Sequence, residues 1–372
     1  MSGTAALAAD ERLAGYDFGA AHPLHPRRLG LGLSLLRACG VLGPADLLAF
    51  EPATDADLRQ VHDPAYLDAL ERFSAWPDEL EPAEAVRWGF VGDNEPFAGM
   101  ADAAREIAGA TIAAVEAVAE GRATHAFAPM GGLHHALRAQ ASGFCLLNDP
   151  AIAIARCARE RGWRVMYVDV DAHHGDGVQE AFYDDPAVLT VSLHETGRHL
   201  WPGTGDIHEL GKPPAVGRSV NVPLEPYTGD DGFLEAFDAV VPALAAEFRP
   251  DLLVTQNGCD GHVDDPLADL HLTVDGFRGL ARRLHQLAHD HCRGRWVATG
   301  GGGYAIDHVV PRAWAVLWSE LSGRPLPPAM PPPASRSWDD PPVEPVAVAA
   351  EIARLNRRTV EALRRLVLPP AW

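Results

Sequence analysis

Residues 167–177 read YVDVDAHHGDG and place acidic residues and histidines directly after an apolar strand. Asp169, Asp171 and His173 alternate along this stretch, so in an extended chain all three face the same side. Burying carboxylates at a strand end is costly unless a cation neutralises them. Because a catalytic zinc ion takes three oxygen, nitrogen or sulfur ligands and keeps one open position, we predict that Asp171 and His173 supply two metal ligands.

The third ligand has to come from another strand. Asp260 follows the predicted strand Leu252–Gln256, and open parallel α/β sheets bind ligands at the carboxyl ends of their strands. A single aspartate after a strand is more often a helix N-cap. Two acidic strand ends in one chain favour a shared metal site, so we predict Asp260 as the third ligand.

A histidine pair follows another short strand, in the sequence PMGGLHHA at residues 129–136. Tandem histidines alone are more often structural. After a glycine pair that permits close backbone approach, His134 and His135 suit a general base and an electrostatic partner beside a metal. Each imidazole needs a carboxylate to set its tautomer, and Asp169 and Asp176 are available for that role.

Four glycines precede Tyr304 in the sequence GGGGY at residues 300–304. Such a run is usually a turn, and no Lys-Ser/Thr pair follows it as in a phosphate-binding loop. A tyrosine here can offer its hydroxyl group to an oxyanion opposite the metal.

Short apolar runs alternate with longer helical patterns from about residue 123, which predicts an α/β fold of one open parallel sheet flanked by helices, with the active site at the carboxyl ends of the strands. The predicted strands are residues 126–129, 164–169, 188–193, 219–223, 252–256 and 295–299. The predicted helices are residues 29–39, 64–73, 99–120, 150–161, 232–248, 274–291, 306–321 and 346–366.

The domain prediction has four parts. Residues 1–12 are expected to be a flexible N-terminus and residues 13–323 the catalytic domain. The Pro-rich residues 324–345 predict an extended surface linker, or alternatively a ligand for a partner protein. Residues 346–372 are expected to hold a helix that packs back on the domain.

The 372 residues include 31 Lys and Arg against 51 Asp and Glu, a net charge of −20. This charge argues against a nucleic-acid partner and favours a cationic substrate, although acidic surfaces often serve solubility alone. Five scattered cysteines without a C-x-x-C pair indicate reduced thiols in a cytoplasmic protein. No apolar run approaches the ~18 residues of a membrane span, so no membrane partner is expected.

Taken together, these motifs resemble the zinc-dependent histone deacetylase family, with its arginase/deacetylase fold, and most closely its bacterial acetoin-utilisation branch. The resemblance extends from Tyr16 to about Leu321. Further matching motifs are HPLHPRR at residues 22–28, GFC at 143–145, SLHETGR at 192–198 and PGTG at 202–205.

The resemblance implies a role for each motif residue. His135 matches the proton shuttle, His134 its electrostatic partner, and Tyr304 the residue that polarises the carbonyl group. The matching carboxylates are Asp169 behind His134 and Asp176 behind His135. The matching zinc ligands are Asp171, His173 and Asp260.

The resemblance also implies a substrate tunnel. Phe144 and Trp201 match its walls, and Asp93 matches a rim aspartate that binds the substrate backbone. Leu267 stands where polyamine-preferring relatives carry a glutamate. Gly143 and Gly302 are predicted to contact substrate beside these residues. Trp201 departs from the usual phenylalanine.

Two internal features are likewise implied. Arg28 matches a buried arginine near the acetate exit. A structural potassium ion is expected near the strand that leads to Asp171, bound by oxygens that include Ser192.

The resemblance therefore implies zinc-dependent hydrolysis of N-acetyl-lysine in proteins or peptides, releasing acetate and free lysine. Acetylpolyamines and longer acyl-lysines are alternative substrates of the same site. An inactive acyl-lysine-binding module would have lost a ligand or a catalytic residue. A ureohydrolase with two manganese ions would need more carboxylates than these motifs provide.

Overall fold

A sheet of seven parallel strands forms the centre of the computed structural model, which describes residues 4–79, 81–332 and 337–368. The spatial order of the strands is β1-β2-β7-β6-β3-β4-β5. Their bounds are Ala5–Leu7 (β1), His125–Ala128 (β2), Val165–Asp169 (β3), Val188–Glu195 (β4), Ser219–Leu224 (β5), Leu252–Gln256 (β6) and Trp296–Thr299 (β7).

Helices cover the sheet, and its central strands are accordingly buried along their whole length. All residues of β3, β4 and β6 are buried, as expected of parallel strands with helices on both faces. The helices are Arg27–Ala38 (α1), Asp55–Leu58 (α2), Pro64–Ala75 (α3), Pro82–Trp88 (α4), Met100–Ala119 (α5), Asp149–Arg161 (α6), Asp176–Ala181 (α7), Asp230–Phe248 (α8), Val274–His291 (α9), Val310–Ser322 (α10) and Ala349–Val367 (α11).

The six predicted strands are confirmed to within two residues at each end. The predicted helices also form, although α10 begins four residues later than expected, at Val310. The short helices α2, α4 and α7 were not predicted, because four to seven residues are too few to show a helical period.

Residues 1–12 were expected to be a flexible N-terminus. This expectation is wrong for residues 4–12, which the structure describes. Residues Ala5–Leu7 form an edge strand in which Ala5 pairs with His125, and Ala8 N–H donates to the Phe127 carbonyl at 2.8 Å. Leu7 is fully buried. A three-residue strand gains its stability from the neighbouring strand, so its own sequence carries little signal.

The Pro-rich segment, predicted as an extended linker, forms neither helix nor strand in its described parts. In its described parts it is anchored to the domain: the buried Trp338 donates its indole N–H to the Pro327 carbonyl at 2.8 Å. The Asp340 carboxylate accepts from Val274 N–H at 2.8 Å and pairs with Arg312 at 2.7 Å. Residues 333–336 of the predicted linker lie outside the described residues.

The last described helix, α11, contacts β5 and α8. Asn356 accepts a hydrogen bond from Glu225 N–H at 2.9 Å, and Leu363 is fully buried. None of the helices in the described ranges has the length and apolar character to cross a membrane.

Candidate active site

A cleft of about 440 Å³ opens at the carboxyl end of the sheet. Eight residues singled out from the sequence line it, although they come from distant parts of the chain: Asp93, His135, Gly143, Phe144, His173, Trp201, Leu267 and Tyr304.

The three predicted metal ligands meet at the base of this cleft. Asp171 and His173 follow β3, Asp260 follows the neighbouring strand β6, and their ligand atoms lie within 4.8 Å of one another. His173 Nδ1 lies 2.8 Å from Asp260 Oδ2 and 3.2 Å from Asp171 Oδ1. One imidazole nitrogen thus faces two carboxylate oxygens.

The other oxygen of each carboxylate is held by the protein. Asp171 Oδ2 accepts from Gln256 Nε2 at 2.6 Å and from Gly302 N–H at 2.8 Å. Asp260 Oδ1 accepts from Ala172 N–H at 2.8 Å. These bonds leave Asp171 Oδ1 and Asp260 Oδ2 directed at the same point as His173.

This ligand set requires a positive charge. Asp171 is 1% exposed and Asp260 is fully buried. Burial, followed by the charge of Asp171, raises the pKa of Asp260 to about 7. Burial lowers the pKa of His173, but its hydrogen bonds to the two carboxylates prevail and raise it to about 10. Two oxygens and one imidazole nitrogen fit a catalytic zinc ion, whose charge would offset that of both carboxylates.

The histidine pair lies beside these ligands. His134 Nδ1 is 2.7 Å from Asp169 Oδ2, and His135 Nδ1 is 2.7 Å from Asp176 Oδ1. Each carboxylate therefore holds the proton on Nδ1 and directs Nε2 inward. The two Nε2 atoms are 2.9 Å apart.

The surroundings shift the pKa values of the two imidazoles in opposite directions. Burial lowers the pKa of His134, but the charges of Asp169 and Asp171 outweigh it and raise the pKa to about 9. Burial and then the charge of His134 lower the pKa of His135 to about 4, against the opposing effect of Asp176. Near neutral pH, His134 is therefore a cation and His135 a neutral base.

Tyr304 lies on the side of the cleft next to Phe144, with their ring centroids 5.6 Å apart. Its backbone N–H donates to Asp265 Oδ2 at 2.8 Å, which fixes the loop after the four glycines. Burial, followed by the charge of Asp260, raises the pKa of the Tyr304 hydroxyl well above its ordinary value. The hydroxyl group is therefore protonated and can donate a hydrogen bond.

The cleft wall at Phe144 has a strained backbone. Its φ of 68° lies in the left-handed region that few non-glycine residues adopt. Tyr16 supports this conformation, because its hydroxyl donates to the Phe144 carbonyl at 2.7 Å and accepts from Leu146 N–H at 2.9 Å. At Gly143, a Cβ atom would lie 2.6 Å from both the His135 and Trp201 rings, so only glycine fits there.

The outer residues are more exposed. Trp201 is 47% exposed and packs edge-on against His135 at 4.6 Å between ring centroids. Asp93 is exposed, and its carbonyl accepts from His22 Nε2 at 3.1 Å. Leu267 is half-buried at the same cleft.

Gly302 lies next to Asp171 and Asp260, and its predicted contact with substrate stays a prediction. Its N–H donates to Asp171, and a Cβ atom there would lie 2.1 Å from Asp260 Oδ2, so only glycine fits beside these two candidate ligands. Arg28 is 2% exposed and donates to the Gly301 carbonyl at 2.6 Å, so it anchors the glycine loop of residues 300–304 to the protein interior.

Three residues with supporting roles were missed in the sequence. Gln256 orients Asp171, Asp265 holds Tyr304, and the buried Asp149 accepts from the N–H groups of Gly132 at 3.0 Å and Leu133 at 2.8 Å. Gln256 could have been found, because a buried amide at the carboxyl end of an apolar strand needs a polar partner. Asp149 is the first residue of α6, where an aspartate is common without any role in a site, and Asp265 lies in a loop, so neither carries such a signal.

The fold and the site together define a hydrolase built on a parallel α/β sheet with a candidate metal centre. Residues 22–321 match the histone deacetylase domain. The chain is 41% identical over 359 residues to acetoin utilization protein AcuC of Bacillus subtilis (strain 168), covering 93% of this chain and 92% of that protein. It is 38% identical over 327 residues to AcuC of Staphylococcus aureus (strain MRSA252), covering 88% and 83% respectively.

Solved structures agree with the sequence relatives. The structure of an HDAC homologue complexed with SAHA superposes with a TM-score of 0.84 at 28% identity, covering 97% of this chain and all of that one. An HDAC homologue from Aquifex aeolicus gives a TM-score of 0.81 at 28% identity, covering 95% and 100%. The chain therefore belongs to the histone deacetylase family, which confirms the resemblance, and it is a hydrolase of the deacetylase type.

Proposed function

We propose that this deacetylase hydrolyses the acetamide of N-acetyl-lysine in proteins or peptides, using one zinc ion held by Asp171, His173 and Asp260. The observation that carries the proposal is geometric: His135, held by Asp176 at 2.7 Å, lines the same cleft as His173, whose ligand atom lies within 4.8 Å of those of Asp171 and Asp260. A base and a Lewis-acid site at one point are what hydrolysis of an unactivated amide requires.

A bound zinc ion supplies Lewis acidity toward water and the acetyl carbonyl. His135 Nε2 accepts the proton of the attacking water and then returns it to the departing amine, while Asp176 keeps the other ring nitrogen protonated. The charged His134 stabilises the negative charge that develops nearby. The Tyr304 hydroxyl donates a hydrogen bond to the oxyanion. The products are acetate and a free amine.

The cleft suits the proposed substrate. Phe144 and Trp201 offer aromatic surface to the methylene groups of a lysine side chain, and the exposed Asp93 can accept hydrogen bonds from a peptide backbone. The side chain of Leu267 carries no charge, so a distal ammonium group of a substrate gains no ion pair from it.

Acetylpolyamines are the second candidate substrates, favoured by the net charge of −20 and the acidic residues near Leu267. Two of those carboxylates are already engaged. Asp265 is 8% exposed and accepts from Tyr304 N–H, and Asp264 pairs with His308 at 3.0 Å. The side chain of Leu267 thus offers a polyamine no carboxylate, and the general attraction of the acidic surface fades with salt.

The predicted potassium ion remains part of this proposal. Asp169 and Ser192 are neighbours in the register of β3 and β4, and Ser192 is 6% exposed, so oxygens are available beside the strand that carries the metal ligands. Potassium content of dialysed protein would test this expectation.

The test uses purified enzyme stripped of metal with a chelator and then given one equivalent of zinc. Acetate release is measured with an acetyl-lysine peptide, the same peptide carrying a longer acyl group, and an acetylpolyamine. We expect activity with the acetyl-lysine peptide to disappear on chelation and to return with zinc. Full activity after exhaustive chelation would contradict the metal assignment, and faster turnover of the acetylpolyamine would contradict the substrate.

A further inference from the structure

Three histidines meet at the end of the sheet opposite the cleft. His125 is the first residue of β2, and His285 and His289 are one turn apart on α9. Their ring nitrogens lie within 4.8 Å of one another. Because the cleft lies at the carboxyl ends of the strands and His125 begins its strand, this histidine cluster is separate from the candidate active site.

Two of the three rings have their tautomers set by neighbours. His125 Nδ1 lies 2.8 Å from the Leu321 carbonyl, which can only accept, so the proton of a neutral His125 is on Nδ1. His285 Nδ1 lies 2.7 Å from the Glu320 carboxylate, which places its proton on Nδ1 too. Both rings therefore direct an Nε2 lone pair into the cluster, and a carboxylate or carbonyl behind the ring is the usual support of a metal-bound histidine.

One of these lone pairs has no partner. His125 is 3% exposed, and its Nε2 makes no hydrogen bond within the described part of the chain. Buried polar atoms in folded proteins are nearly always satisfied, so an orphaned nitrogen requires an explanation. A hydrogen bond between His285 and His289 accounts for those two rings alone, since their Nε2 atoms are 3.0 Å apart.

The distance between two of the three rings is close to that found in a metal site. Nitrogens that bind one zinc ion at 2.0–2.1 Å in tetrahedral geometry lie about 3.3 Å apart. The Nε2 atoms of His285 and His289 are 0.3 Å short of that value, at 3.0 Å. His289 is exposed, so its ring can adjust and an ion can enter from solvent.

We propose that His125, His285 and His289 form a second metal site, which binds a divalent transition metal ion such as Zn²⁺ or Co²⁺. Three imidazole ligands suit these ions and leave a fourth position for water. Glu320 and the Leu321 carbonyl act as positioning groups. The ion would join β2, α9 and the end of α10, so its role is to stabilise the amino end of the sheet.

The protonation state of the buried ligand agrees with this assignment. Burial, with a smaller opposing effect of the Leu321 carbonyl and further lowering by His285 and His289, brings the pKa of His125 to about 4. His125 is thus neutral at pH 7, which is the form that binds a metal.

The test titrates the full-length protein with Co²⁺ after the catalytic site has been filled with one equivalent of zinc. Tetrahedral Co²⁺ is followed by its visible absorption. We expect wild-type protein to bind one further equivalent of Co²⁺. In His289→Ala the affinity for this equivalent should fall by about 100-fold or more. Glu320→Gln should weaken it by about 10- to 100-fold, as loss of a supporting carboxylate does. His291→Ala, on the same helix but outside the cluster, is the matched control.

Asp171→Ala separates the two sites. This variant should keep the second site, so Co²⁺ should raise its melting temperature, and adding His289→Ala should abolish that rise. The proposal is overturned if wild-type protein binds no further equivalent, or if His289→Ala and His291→Ala bind Co²⁺ equally well. Neither result bears on the proposed deacetylation, because the cluster shares no residue with the cleft.

Discussion

The floor and the rim of the cleft are built in opposite ways. On the floor, Asp171 and Asp260 are at most 1% exposed, and the oxygens that do not face His173 are held by hydrogen bonds. On the rim, Trp201 is 47% exposed and Asp93 is exposed. A buried charge without its partners costs several kcal/mol, whereas an exposed side chain can be exchanged with little effect on the fold. The floor is therefore constrained by its chemistry, and the rim is free to set specificity.

Removing a floor ligand should have the largest effect. Asp171→Ala should lose bound zinc and lower kcat/KM by more than the ~10²- to 10³-fold that loss of one oxyanion donor costs, because it removes the Lewis acid altogether. Metal analysis and acetate release measure this together. Asp264→Ala, an exposed carboxylate near the rim, is the control and should keep both metal and activity. Zinc retained at one equivalent in Asp171→Ala would show that this carboxylate is not a ligand.

Removing the oxyanion donor should have the next largest effect. Tyr304→Phe keeps the ring contact with Phe144 and the backbone bond to Asp265, so metal content and melting temperature should not change. The value of kcat should fall by about 10²- to 10³-fold. Tyr183→Phe is the matched control. Normal turnover by Tyr304→Phe would show that the Tyr304 hydroxyl does not donate to the oxyanion.

The pH profile tests the charge states on the floor. His135 must be neutral to accept a proton, and its pKa is lowered to about 4, so kcat/KM should stay constant below the ordinary histidine pKa of 6.5 and fall only as the pH approaches that lower value. Zinc content is measured at each pH to separate protonation from metal loss. Because Asp176 raises the pKa of His135, Asp176→Asn should move the acid limb to still lower pH. An acid limb above pH 6.5 with zinc fully bound would be incompatible with a neutral His135.

A rim substitution should have the smallest effect and change preference rather than chemistry. Leu267→Glu places a carboxylate at the cleft and should shift the ratio of kcat/KM values toward an acetylpolyamine by about fivefold, the size of an ion pair of roughly 1 kcal/mol. Leu267→Gln controls for polarity without charge. The comparison is made at physiological salt to suppress the general attraction of the acidic surface. An equal shift in both variants would show that charge is not what this position discriminates.

The sequence by itself determined the sheet, the strand ends that carry chemistry and the identity of the candidate ligands. Buried parallel strands are continuous apolar runs, so β3 and β6 were predicted to within one residue, and Asp171 and Asp260 stand out because a charge after such a run is costly without a partner. These are local signals, and each can be recognised within about ten residues of sequence.

Tertiary structure alone decided which distant groups support that chemistry. The edge strand Ala5–Leu7 forms only because β2 offers a partner, and the Pro-rich segment is anchored because Asp340 meets Arg312 and Val274 N–H. The bonds from Gln256 to Asp171 and from Tyr304 N–H to Asp265 join residues 85 and 39 positions apart. The opposite pKa shifts of His134 and His135 likewise depend on burial and on neighbours from other elements, and no local sequence pattern encodes such a difference in environment.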